Sequence, residues 1–145
     1  MYPVDQIAKY FLSRTDEEVG DVMTNLKLQK LLYYAQGFHL AIHGTPLFSE
    51  PIEAWLHGPV VPVIYHIYSH YGAMPIPHSE DFDPTALGED TCELLDEVYE
   101  VYGQFSAWKL RNMTHEEAPW RNTEQSDVIS HEELERFFRT RIDDN

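Results

Sequence analysis

The stretch Thr24-Asn25-Leu26-Lys27-Leu28-Gln29-Lys30-Leu31-Leu32-Tyr33-Tyr34-Ala35-Gln36-Gly37-Phe38-His39-Leu40-Ala41-Ile42-His43-Gly44 decides the fold class. Leu28, Leu31, Leu32, Ala35, Phe38 and Ile42 recur at intervals of three and four, the spacing of one helix face over about five turns. Thr24 stands where a hydroxyl accepts from the first free amides, and Gly44 where a helix ends. Lys27 and Lys30 lie near the beginning, where the helix dipole slightly disfavours cations. They are expected as solvated lysines on the outer face.

Helical patterns flank this segment on both sides. Val4 to Arg14 reads as a helix started by Pro3, with Ile7, Ala8, Phe11 and Leu12 inward. Leu47 to Trp55 reads as extended, because Pro46 and Pro51 exclude a helix interior. Gly58 then suits a cap and Pro59 the first residue of a helix reaching Tyr71, with Val60, Val63, Ile64, Ile67 and Tyr71 as its apolar side. A long loop follows, containing Glu80, Asp81 and Asp83, and Asp83-Pro84 opens a helix to about Tyr102. That helix carries Leu87, Leu94, Val98, Val101 and Tyr102 on one side and Glu89, Glu93, Asp96, Glu97 and Glu100 opposite. A short helix around Ser106 to Met113 ends by Pro119-Trp120. After a polar linker from Arg121 to Asp127, Ser130 and Glu133 fit the capping box of a last helix bearing Leu134, Phe137, Phe138 and Ile142. The expectation is a mainly α, single compact helical domain of about six helices, with at most a short strand pair near residues 47–56. Its core would span residues 4–138, and residues 143–145 would form an acidic tail.

Charge is distributed unevenly. From Leu31 to Trp108 there is no Lys or Arg, while eleven Asp and Glu fall in that span. The net charge of −15 argues against nucleic acid as a partner, since phosphate contacts need clustered Lys and Arg. It favours a basic protein surface instead. At 145 residues, 43% of them hydrophobic, the chain can bury about 68–70% of its unfolded surface. The lone Cys92 forms no intrachain disulfide and fits a reducing compartment. Met1 to Phe11, interrupted by Asp5, Gln6 and Lys9, does not read as a secretion signal. No apolar run is long enough to span a bilayer, so a cytoplasmic location is expected.

Chemistry is less legible. His39 and His43, and again His66 and His70, stand four apart on helices and could share a metal ion, yet neither pair has the H-E-x-x-H glutamate. Satisfied core or surface histidines are the simpler reading, and no resident cofactor or metal is expected. There is no G-x-S-x-G elbow and no P-loop, and Cys92 sits among carboxylates that oppose thiolate formation. The chain is therefore not expected to be an enzyme. Trp55, Tyr65, Tyr68, Trp108 and Trp120 are rich in interface-forming residue types, although core packing is the ordinary fate of tryptophan.

Three segments in register carry a family resemblance: Leu26 to Gly37, Ala54 to Pro62 followed by Tyr65, Tyr68, Tyr71 and Gly72, and Thr114-His115-Glu116-Glu117-Ala118-Pro119-Trp120. Together they resemble the Panacea domain of SocA-like antitoxins and phage-associated GepA-type proteins. The resemblance implies a compact helical domain that binds and neutralises a cognate toxin protein, the product of an adjacent gene. In some members it implies an adaptor that delivers the toxin to a cytoplasmic protease. No catalytic residue is carried over by it.

The expected contacts are the acidic face Glu89, Glu93, Asp96, Glu97 and Glu100, with Trp55, Tyr65 and Tyr68 as apolar anchors. Two rival readings stand beside it: a metal-binding, hydrolase-like domain using the His pairs, and a transcription regulator resting on Lys27 and Lys30.

Overall fold

The computed structural model describes residues 1–78 and 82–142. Glu80, Asp81 and the acidic tail 143–145 lie outside the described residues. The element order is α1 (Val4–Arg14), α2 (Asn25–His43), β1 (Glu53–Trp55), β2 (Gly58–Val60), α3 (Pro62–Tyr68), α4 (Glu89–Tyr102), α5 (Ala107–His115), α6 (Ala118–Arg121) and α7 (His131–Ile142). The expected mainly α architecture is what forms. The extra helix beyond six is α6, a single turn started by Pro119, where the sequence reading saw only an ending.

Helix α2 is the axis of the molecule and touches α1, α3, α4, α5, α7 and β2. The Thr24 hydroxyl caps it by accepting from the Lys27 amide at 3.2 Å, and Gly44 ends it at φ 73°. Because neighbours lie all around it, α2 is not the one-faced helix its leucine spacing describes. Lys30, expected in solvent, is 0% exposed, and Lys27 is half-buried with Nζ donating to the Gly103 carbonyl at 2.6 Å. Ile42, expected inward, is 50% exposed.

Among the described elements α2 packs most extensively against α7. Gly37 lets the Phe138 ring lie so near the α2 backbone that a Cβ at Gly37 would stand 2.1 Å from a ring carbon.

β1 and β2 pair antiparallel with Trp55 opposite Gly58, and the turn is Leu56-His57. Gly58 and Pro59 thus belong to a strand, not to the start of a helix; Val61 precedes α3 and Pro62 begins it. A backbone φ of 108° at Gly58 explains the difference, since it turns the chain into the hairpin instead of capping a helix. The polar linker is also ordered against this hairpin. Ile129 N donates to the Ile52 carbonyl at 2.8 Å, and Ala54 N to that of Asp127 at 3.0 Å.

Asp83 caps only a 3-10 turn, Pro84–Ala86. Leu87 then turns to an extended conformation to bury its side chain, and α4 begins after Gly88, whose amide donates to the Tyr2 hydroxyl. On α3 only Ile64 is buried, while Val63 and Ile67 face outward against expectation. No helix among the described residues is long and apolar enough to cross a membrane.

Candidate functional site

The three segments singled out in the sequence meet around α2, and they meet through buried polar bonds. Lys30 Nζ donates to the Pro59 carbonyl at 3.0 Å. Gln29 Oε1 accepts from the Val61 amide at 2.8 Å, while its Nε2 donates to Asn25 Oδ1, and Asn25 Nδ2 reaches the Tyr65 carbonyl. One turn further on, Tyr33 and Tyr34 donate to the two carboxylate oxygens of Glu117, at 2.9 and 2.8 Å. Gln36 closes the series by accepting from the Leu47 amide and donating to the Phe48 carbonyl. In the third segment Trp120 Nε1 donates to the Trp55 carbonyl at 2.8 Å, and the His115 ring stacks on Trp120 at 4.0 Å. An unsatisfied buried polar group costs about 1–3 kcal/mol. These pairings therefore select one arrangement of the hairpin and the α5–α6 junction on α2.

Among these groups, Lys30 and Glu117 have proton affinities displaced by burial. Burial, aided by a smaller repulsion from the Arg111 charge, lowers the Lys30 ammonium from its ordinary 10.5 to about 7. Burial raises the Glu117 carboxyl, against the lowering effect of the Tyr34 and Tyr33 hydrogen bonds. Lys30 makes a pH prediction. The unfolded chain holds the Lys30 proton up to about pH 10.5 and the folded one releases it near 7, so the unfolded state binds more protons in between. Stability should rise with pH from about 7 to 9.5, by at most about 1.4 kcal/mol per unit. Urea midpoints across that range measure it, and Lys30→Met should flatten the slope. An equal slope in both proteins would show that Lys30 keeps its ordinary affinity.

The expected contact residues are not brought into one cluster. On α4, Glu89, Glu93, Glu97 and Glu100 are exposed, and among the described residues none forms an ion pair. Asp96 differs: it accepts from the Tyr10 hydroxyl at 2.5 Å and pairs with Arg14 at 3.3 Å, so it ties α4 to α1. Cys92 stands beside it, its thiol raised first by burial. Trp55 and Tyr65 pack edge to face with ring centroids 5.1 Å apart, and both reach the surface in part. Tyr68 turns instead toward Tyr71 and is half-buried, its hydroxyl raised by burial and then by Asp5.

A further surface feature lies outside the expected contacts. Trp108, expected in the core, is 55% exposed. The Arg111 guanidinium lies over its ring at 4.4 Å, and Arg111 Nε donates to His57 Nδ1 at 3.2 Å. The i, i+3 spacing of Trp108 and Arg111 on one helix was the available signal.

Among the described residues neither histidine pair is joined by a third ligating side chain. His39 Nδ1 lies 2.6 Å from the Thr45 carbonyl, and the His39 and His43 rings are 4.6 Å apart, whereas His66 and His70 are exposed on the surface. Among the described residues no three His, Cys, Asp or Glu side chains are grouped to hold an ion.

Comparison with known proteins agrees with this geometry. The family model for "Antitoxin SocA-like, Panacea domain" matches residues 28–121, a span that includes the Lys30–Pro59, Gln29–Val61, Tyr33–Glu117 and Tyr34–Glu117 pairings. Antitoxin SocA of Caulobacter vibrioides (strain NA1000 / CB15N) is 34% identical over 109 residues, covering 68% of this chain and 58% of that protein. The chain thus matches a little over half the length of this relative. No solved structure matches it significantly.

Proposed function

This chain belongs to the SocA-like antitoxin family with the Panacea domain, and from that premise we propose that it neutralises a toxin protein by direct, stoichiometric binding. The observation that carries the binding mode is the exposed run Glu89, Glu93, Glu97 and Glu100, four carboxylates on one helix with no ion pair among the described residues. Such a surface attracts a basic partner and raises its rate of encounter. Trp55 and Tyr65 supply aromatic area of the type that anchors interfaces. Asp96 drops out of the contact set, because removing its charge would loosen α4 from α1.

The test is co-expression with the product of the adjacent open reading frame, scored by growth rescue and co-purification. Failure of both sinks the antitoxin reading. With the partner in hand, Glu93→Lys together with Glu97→Lys should slow association about tenfold at low salt and flatten its salt dependence. Stopped-flow mixing measures this, and an unchanged on-rate would remove the α4 face from the interface.

A further inference from the structure

Beside the acidic face runs an apolar groove of about 310 Å³ between α2, α4 and the end of α7. Its floor is Phe38, Leu94, Val98 and Tyr102, and its lips are Ile42 and Val101, which are 50% and 49% exposed. We propose that this groove seats an amphipathic helix of the partner protein, with large apolar side chains inside and Lys or Arg toward α4. The proposal deepens the binding role above and rests on it.

Three physical arguments choose this occupant. The groove is walled by helices and offers no strand edge, so an extended peptide would find no ladder to join, whereas a helix satisfies its own amides and carbonyls. Its volume lies at the bottom of the range for small-molecule pockets and suits the anchor side chains of one helix face. The charge beside it is one-sided: Glu97 stands at the groove itself, and Glu93 and Glu100 lie exposed on the same helix. Arg141, on the α7 side with its guanidinium over the Phe137 ring at 4.7 Å, is the one cation lining the groove among the described residues. A second copy of the chain is a poor occupant, because each copy carries −15.

The probe is a fluorescein-labelled leucine–lysine amphipathic peptide of about four helical turns, compared with a leucine–glutamate peptide of the same pattern. Anisotropy titrations use the full chain. The lysine peptide should bind and the glutamate peptide should not. Ile42→Ser and Val101→Ser, which keep every charge, should each weaken binding about tenfold, as should Glu97→Lys; Arg141→Glu should tighten it. Circular dichroism melts confirm that each variant folds, since all four side chains are at least half exposed or lie at the rim. Equal binding by both serine variants would reduce the attraction to charge and overturn the groove. So would sedimentation showing that the pure chain dimerises through this face. The peptide titration reads the groove without a toxin, and co-expression reads neutralisation without the peptide. A bound peptide with no growth rescue sinks the antitoxin reading alone. Rescue undiminished by both serine variants sinks the groove as the toxin's seat.

Discussion

Replacing Gly37 with alanine is expected to destabilise the protein by about 3 kcal/mol or more, at or beyond the upper end for overpacking a core. The added methyl would stand 2.1, 2.2 and 2.7 Å from three atoms of the Phe138 ring, and that ring is itself wholly buried. It has little room to retreat, being in edge contact with Tyr33, Tyr34 and Phe38. The helix α7 would have to lift from α2, exposing the centre of the aromatic cluster. For a chain of this size the shift in melting temperature is about ten degrees. Gly37→Ala combined with Phe138→Ala should lose much less than the sum of the two single changes, since the second removes the clash created by the first. Additive losses, or a Gly37→Ala protein melting with the parent, would contradict the close approach of these helices.

Nearly as large an effect is expected from Glu117→Leu. The carboxylate accepts from both Tyr33 and Tyr34, and each hydroxyl belongs to a tyrosine with no exposed surface. Removing the acceptor strands two buried donors at about 1–3 kcal/mol each, so a total loss of about 3–4 kcal/mol follows. The test with the most leverage is restoration. Tyr33→Phe and Tyr34→Phe added to Glu117→Leu remove the donors along with the acceptor, and most of the lost stability should return. The stacked pair of Tyr34 on Tyr102, at 3.8 Å, keeps its rings in that triple variant and should survive. If the triple variant is as unstable as Glu117→Leu alone, these hydrogen bonds do not hold the α5–α6 junction to α2.

Both predictions concern residues within the three segments that resemble the family, or the ring that packs on them. The structure accounts for why the segments go together. Lys30 meets Pro59, Gln29 meets Val61, and Tyr33 and Tyr34 meet Glu117, so each segment supplies donors or acceptors that another segment needs. Their chemistry is that of assembly. The carboxylates and the groove of the candidate binding surface lie outside the three segments, on α4 and beside it, and only Trp55 and Tyr65 are shared with them.

Local spacing in the chain was enough to specify α1, α2, α5 and α7, the body of α4 though not its start, and the Thr24 and Ser130 caps. It was also enough for the outward direction of Glu89, Glu93, Glu97 and Glu100, because three-and-four periodicity and hydroxyl capping are properties of a few consecutive residues. Only the tertiary structure decided that Lys30 is buried, that Asp96 serves α1, and that Ile42 and Val101 stand half in solvent along a groove. The physical reason is the same in each case. Periodicity describes a helix that has one buried face, whereas α2 is enclosed by elements drawn from the whole chain. Whether a side chain there meets a carbonyl, a carboxylate or water depends on residues dozens of positions away.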